Sequence, residues 1–351
     1  GWAHPDDFFK VHSEIDRPYK RSRLSSNDIL MTIVGAGTGN VAVVPNWLEG
    51  ANITQTTARI SIDPSTPPHR YFYYYLGSFF GQKEVYKFIK GGAQPGLNLA
   101  DVEKFRVILP TAPEREKITK ILDTWHNTIE SIDSLVTAKK ELRKGVMQQL
   151  LMGRKRLSGF SYPLSTILLG NVTKESKKRN NGKLSASSVR AVNKAHGMIP
   201  MKDRLIGKDI SRYKIVNQGC FAYNPMRINI GSICLWEEES EVLVSPDYMV
   251  FRCLEDRLDY RYLNYLRQTH LWNHFVQSAG GGSVRVRIYY SDLARFKFKL
   301  PTLEEQKRIV HCLEKIDDEI RLIEDYRSAL IKQKKGLMQQ LLTGKIRVKV
   351  P

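Results

Sequence analysis

The sequence predicts an α+β chain of two similar α/β domains, each running into a long helix, with the two helices paired as a coiled coil. Three observations carry this. KKGLMQQLLTGK at 334–345 repeats RKGVMQQLLMGR at 143–154, 191 positions earlier. The match extends upstream without a gap to LPTLEEQKRI from Leu300 against LPTAPEREKI from Leu109. Between these ends apolar residues recur at heptad spacing, and ahead of them each half reads as short strands followed by a helix.

The order of elements follows from the patterning. A first domain over 1–108 holds strands at 29–34, 41–44 and 56–62, an aromatic-rich helix over 70–89, a glycine-rich loop from Gly91, and a last strand at 105–109. A long helix then fills most of 109–153, opening at Pro113 and closing at Gly153. The second domain, 154–299, repeats the series with strands at 220–223, 233–236 and 248–252, a helix over 260–277, a loop from Gly280 and a strand at 296–300. The second long helix, within 300–351, opens at Glu304 and closes at Gly344. In the first helix Ile118, Trp125, Ile132 and Val146 share one heptad position, with Ile121, Leu135 and Leu142 at its partner. In the second, Ile309, Ile316, Ile323, Leu330 and Leu337 fill the first position throughout. A forty-residue helix is roughly 60 Å long. It outreaches a small domain, so it needs a partner, and its own repeat is the nearest match; the competing reading is a single amphipathic helix lying on a domain core. In this register Gly1 aligns with Val192, so either an N-terminal piece of the first domain is missing from this sequence or that domain is shorter by nature, and 162–192, with Lys174, Lys177, Lys178 and Arg179, has no visible counterpart.

Composition narrows the partners. A formal charge of +19, from 55 basic and 36 acidic residues, predicts a polyanion. That partner is nucleic acid or an anionic membrane, and since no run approaches the eighteen or so apolar residues of a membrane span, nucleic acid is the better reading. Cys220, Cys234, Cys253 and Cys312 form no CxxC pair and read as free thiols of a reducing cytoplasm. No secretory signal opens the sequence.

Enzyme motifs are weak. Gly35-Ala-Gly-Thr-Gly-Asn follows a strand, but Asn40 replaces the third glycine of a dinucleotide loop and another strand follows, so a hairpin turn is the better reading. Asn224-Pro225 lacks the second proline and the aromatic residue of an amino-methyltransferase loop, Met226 and Arg227 standing there. Pro246-Asp247 with Glu255 lacks the lysine of a nuclease site. His270 and His274 have metal spacing but no third ligand nearby, and read as a packed or surface pair. No catalytic constellation recurs in both halves.

Basic residues do recur. Arg21 and Arg23 correspond to Arg212 and Lys214, each pair sharing one face if the segment is extended. The loops after the aromatic helices carry Gln94 and Asn98 in one half and Arg285, Arg287 and Tyr289 in the other. With Lys177, Lys178 and Arg179, these are candidate phosphate-reading and base-reading groups; the competing reading for each is a solvated basic surface.

Taken with the strand-leading Asn98-Leu-Ala-Asp and Tyr290-Ser-Asp-Leu, the duplicated LPT openings and MQQLL endings make the chain resemble a type I restriction-modification specificity subunit over nearly its whole length. The resemblance implies two target recognition domains and two helices packed antiparallel as a spacer, related by an approximate twofold. It implies a non-catalytic role: reading a split, asymmetric site in double-stranded DNA and docking two modification subunits, then restriction (translocase) subunits. No cofactor is expected on this chain; S-adenosylmethionine belongs to the modification subunits, and ATP and magnesium to the restriction subunits. Met147, Gln148, Gln149, Met338, Gln339 and Gln340 are candidate docking residues, against the alternative that these endings close the helix pair on the opposite domain. Two further classes stay open: a DNA-modifying enzyme with an unrecognised site, and an adaptor that binds only protein.

Overall fold

A computed structural model describes residues 5–63, 65–92, 94–194, 196–279 and 287–350. Its two compact units cut across chain order: Gly1–Leu135 with Ile323–Pro351, and Val136–Leu322. The reason lies in the long helices, Ala112–Leu151 and Leu303–Leu341. Each unit combines a globular part with a portion of both.

In the first unit β1 (Ile29–Thr32) is the centre of a three-stranded antiparallel sheet, flanked by β2 (Val41–Val43) and β3 (Thr57–Ile60). Ile29 and Met31 are fully buried on one face and pack with Tyr71, Tyr74, Ile118 and Leu122. Leu341 and Leu342, from the end of the second long helix, complete that core. The expected helix over 70–89 is two, His69–Gly77 and Phe79–Phe88, because Ser78 is extended and its hydroxyl accepts from Gly81 N at 3.3 Å, capping the second.

The second unit repeats this sheet and adds to it. β4 (Ser165–Leu168), β5 (Thr173–Glu175), β6 (Arg190–Asn193) and β7 (Gly197–Pro200) precede β8 (Lys214–Val216) and the repeated strands β9 (Cys220–Tyr223), β10 (Ile233–Leu235) and β12 (Met249–Cys253). The order is β10-β9-β12-β5, so β5 adds a strand beside β12 that has no counterpart among the described residues of the first unit. β11 (Val242–Val244) pairs with β8, β6 with β7, and β13 (Lys297–Leu300) with β4. The last pairing accounts for a correction: 105–109 forms no strand, since no described strand of the first unit lies beside it as β4 lies beside β13. The helix over 260–277 is again two, Tyr260–Leu266 and His270–Ser278, broken where Thr269 caps Trp272 N at 3.4 Å.

Within each unit the long helices run antiparallel. Arg327 pairs with Asp133 and Lys334 meets His126 in the first; Lys139 pairs with Glu319 at 2.7 Å and Arg143 with Asp317 in the second. Partner numbers fall along one helix as they rise along the other. One position of the expected seam holds, with Ile118, Ile132, Ile309 and Leu330 buried, but its partner position in the first helix is shifted by one residue: Leu122, Ile129 and Val136 are buried, while Leu135 and Leu142 are 44% and 53% exposed. Basic residues at 139, 143, 327 and 334 continue the heptad in place of apolar ones, with ion pairs or ring contacts substituting for hydrophobic packing. Both helices close as expected, on Gly153 and Gly344 in the left-handed region at φ of 64° and 70°.

One ion pair recurs in both units. Glu114 near the start of the first helix meets Arg347 at 2.7 Å; Glu305, in the equivalent place, takes Arg156 through two bonds of 2.6 Å. Arg347 and the Thr111 hydroxyl and amide hold the Glu114 carboxyl down to about 2. A carboxyl depressed below its unfolded value of about 4.3 adds stability above that pH and loses it on acidification. Acid unfolding followed by circular dichroism should therefore begin between about pH 5 and 2 in the wild-type protein, and Glu114→Gln should flatten that part of the profile.

Candidate nucleic-acid interface

In the first unit a loop cluster forms beyond the Thr32 end of β1. The turn from β1 to β2 places Gly35 and Gly39 at φ of 94° and 95°, the hairpin expected rather than a dinucleotide loop. The 90–98 loop docks on it: Gly35 N donates to Pro95 O at 2.9 Å, Leu97 N to Ile33 O at 2.8 Å, and the Thr38 hydroxyl to Pro95 O at 3.1 Å. This leaves Gln94 exposed on a loop held at both ends. Asn98 has a second task, since its Oδ1 accepts from Asp101 N at 2.9 Å and caps Leu99–Val102. Asn40 and Gln55 are also exposed in this part of the unit, Gln55 just ahead of β3. Asn40 closes the glycine-rich hairpin turn that the sequence predicts.

Arg21 and Arg23 lie toward the other end of β1. Only Arg23 is extended as expected, bridging Asn52; Arg21 is not, because Arg17–Ser22 is a 3-10 helix. Arg21 is exposed, whereas Arg23 is ion-paired with Asp16. The carbonyl of Arg23 accepts from Arg59, which also faces Asp28 at 3.5 Å. The structure thus separates Arg21 and Arg23 from Gln94 and Asn98.

In the second unit more of the candidates gather. Lys177, Lys178 and Arg179 are exposed on the segment that leaves β5 and runs beside β8, where Ile215 N donates to Lys178 O at 2.9 Å. Lys178 turns to Glu241 at 3.2 Å; Lys183 and Asn217 join it and hold that carboxyl down to about 2. Arg179 donates to Arg212 O at 2.6 Å, and Arg212 itself is exposed. Lys214 departs from the expected surface pair: it is buried in β8, its ammonium donates to Tyr248 O at 2.5 Å, and burial pushes that ammonium down. Lys177, Arg179 and the carboxylates of Glu175 and Asp247 all act on it electrostatically, which puts them in one neighbourhood. Arg287 also feels Asp247, and it is exposed with Nη1 3.4 Å from the Tyr289 hydroxyl. The result is a cationic surface of Lys177, Arg179, Arg287 and Tyr289 tempered by Asp247. Arg285 lies outside the described residues.

The helix endings face both ways. Met147 is buried in the core of the second unit, and Met338 packs against that of the first. Gln148 is half-buried, while Gln149, Gln339 and Gln340 are exposed. His270 and His274 are both exposed, and no group of three or more metal-ligating side chains occurs among the described residues. The four cysteines are free thiols. No helix among the described residues is long and apolar enough to cross a membrane.

The family described as type I restriction modification DNA specificity domain matches residues 11–137 and 170–333. The MjaVIII type I restriction enzyme specificity subunit of Methanocaldococcus jannaschii is 23% identical over 356 aligned positions, covering 93% of this chain and 80% of that one. The EcoBI specificity subunit of Escherichia coli is 33% identical over 127 residues, covering 36% of this chain and 26% of that one. The crystal structure of a type I restriction-modification S subunit from M. genitalium shares the fold at a TM-score of 0.55 and 12% identity, covering 90% of this chain and 83% of that one. The family spans both globular parts and the larger portion of both long helices, and the chain belongs to the type I restriction-modification DNA specificity family.

Proposed function

We propose that this specificity subunit reads a split, asymmetric site in duplex DNA, one half through each globular part, and does no chemistry itself. The observation that carries the reading is a shared sheet with unlike surfaces. β2-β1-β3 recurs as β10-β9-β12, yet the first presents Gln94 and Arg21 while the second presents Lys177, Arg179, Arg287 and Tyr289. Like frameworks with unlike contact groups suit two readers of different base sequences. Arg287 has the fork that fits guanine O6 and N7, and Gln94 the amide that fits adenine N6 and N7. Adenine methylation with S-adenosylmethionine then belongs to two docked modification subunits, and ATP-driven translocation and cleavage with magnesium to restriction subunits. Gln149, Gln339 and Gln340 are the exposed groups of the helix endings offered to those partners, in a cytoplasmic complex.

Mapping methylated adenines in cells that carry the assembled system tests this. Arg287→Ala should relax the bases of one half-site and Gln94→Ala those of the other, each by about 10- to 100-fold in discrimination. Equal loss at both halves with either variant would refute one reader per half. Methyl transfer or cutting by the purified chain alone, given DNA, magnesium and S-adenosylmethionine, would refute the non-catalytic role.

A further inference from the structure

The helix-to-domain junctions of the two units differ in one pair of side chains. In the second unit Arg143 and Asp317 form an ion pair, Nη2 standing 3.2 Å from Oδ2. The Tyr265 hydroxyl donates to the same carboxylate at 2.8 Å, and the guanidinium lies 5.7 Å over the Tyr265 ring. At the repeat offset of 191, the corresponding residues of the first unit are Lys334, His126 and Tyr74. Lys334 again sits over the tyrosine ring, at 5.2 Å, but its neighbour is an imidazole, with Nζ 3.2 Å from His126 Nδ1. Lysine can only donate, so the contact needs a neutral ring with its proton on Nε2. That nitrogen faces Glu130 at 3.3 Å. The Tyr74 hydroxyl has turned instead to Asp123, at 2.5 Å, whose carboxylate also takes Arg70 at 2.7 Å.

Both nearby carboxylates are therefore occupied, and among the described residues Lys334 forms no ion pair. Burial and the repulsion of Arg70 push its ammonium down from the ordinary lysine value. Burial and Lys334 push His126 down as well. Beside these groups opens a cavity of about 560 Å³, whose polar and aromatic lining includes Asn40, Tyr73, Tyr74, His126, Lys334 and Lys335, with apolar walls from both long helices and β2. Two lysines, a histidine able to take a second proton, an amide and two aromatic walls converge on one space, at the place where the repeat has lost its carboxylate.

We propose that this cavity binds a phosphoryl anion, held by Lys334, Lys335 and His126, in the role that the Asp317 carboxylate fills in the second unit. The bound anion gives Lys334 a counter-ion and favours protonation of His126, replacing the single lysine–imidazole hydrogen bond with two charge-assisted hydrogen bonds to the anion. Two sources of a phosphoryl group fit, a free small anion and a phosphate of the DNA backbone.

Thermal unfolding of the full chain in inorganic phosphate, against chloride at matched ionic strength, tests the site. Phosphate should raise the Tm saturably by about 2–4 °C. His126→Asp, which rebuilds the ion pair of the second unit, should be more stable in chloride and lose the phosphate response; Lys334→Met should also lose it. In the wild-type protein the His126 imidazole resonance should move toward its protonated position as phosphate is added. An equal rise in wild type and both variants would assign the anion to the general basic surface and overturn the proposal, as would no rise at all. The source is separated by duplex titrations with His126→Asp. A salt slope smaller by about one in magnitude identifies a DNA phosphate, and an unchanged slope with the phosphate response lost identifies a free anion.

Discussion

Raising the salt from about 50 to 200 mM is expected to weaken duplex binding by about 10³- to 10⁵-fold, the loss for a protein that neutralises some eight phosphates. The charge of +19 is far larger than eight contacts need, so the question is which cations are free to make them. Lys178 and Lys183 are committed to Glu241, Arg23 to Asp16, Arg156 to Glu305, and Lys214 is buried. Lys177 is exposed but faces Glu175 at 3.5 Å, and Arg21, Arg179, Arg212 and Arg287 stay exposed, spread over both units. Fluorescence anisotropy with a labelled duplex measures the slope of log affinity against log salt, expected near −7 for eight contacts. A change of less than tenfold over that range would mean that the basic surface does not meet the backbone.

The largest stability effect is expected at Glu305, whose carboxylate is fully buried and takes Arg156 through two bonds of 2.6 Å. Replacing Arg156 with Met leaves a buried charge without its partner. Such losses run to about 3–5 kcal/mol when both partners are buried. The Arg156 side chain keeps 24% of its exposure, so water moderates the loss to about 2–4 kcal/mol. Urea unfolding gives the number, and Arg156→Met with Glu305→Gln should recover part of it by removing the stranded charge. No recovery in the double variant would show that the arginine acts through packing of its stem, not through its charge.

The duplication made the architecture legible in the sequence, because one helix ending repeated at a fixed offset marks two units whatever their surfaces do. Three details were hidden. The aromatic helices break at Ser78 and Thr269, which occupy the same place in the repeat; periodicity ran past both, though a Ser or Thr three residues before an amide it can cap was a readable stop. The second seam position of the first helix was misplaced by one residue because Lys139, Arg143, Arg327 and Lys334 hold heptad positions that a count of apolar residues skips. The strand at 105–109 failed because pairing is non-local: Phe298 has Ile167 beside it, and its counterpart in the first unit has no such neighbour among the described residues. The interface was less legible for a related reason. Whether Lys214 faces water depends on Tyr248, 34 residues away, and nothing local signals it.

The first unit completes its core with Leu341 and Leu342. During synthesis those residues leave the ribosome after everything in 136–322 has been made, so the later-encoded half has all its parts first and the earlier one waits. The amino-terminal reader, though translated before its sibling, is the last to become a finished body, and until then it offers an open apolar seat to chaperones.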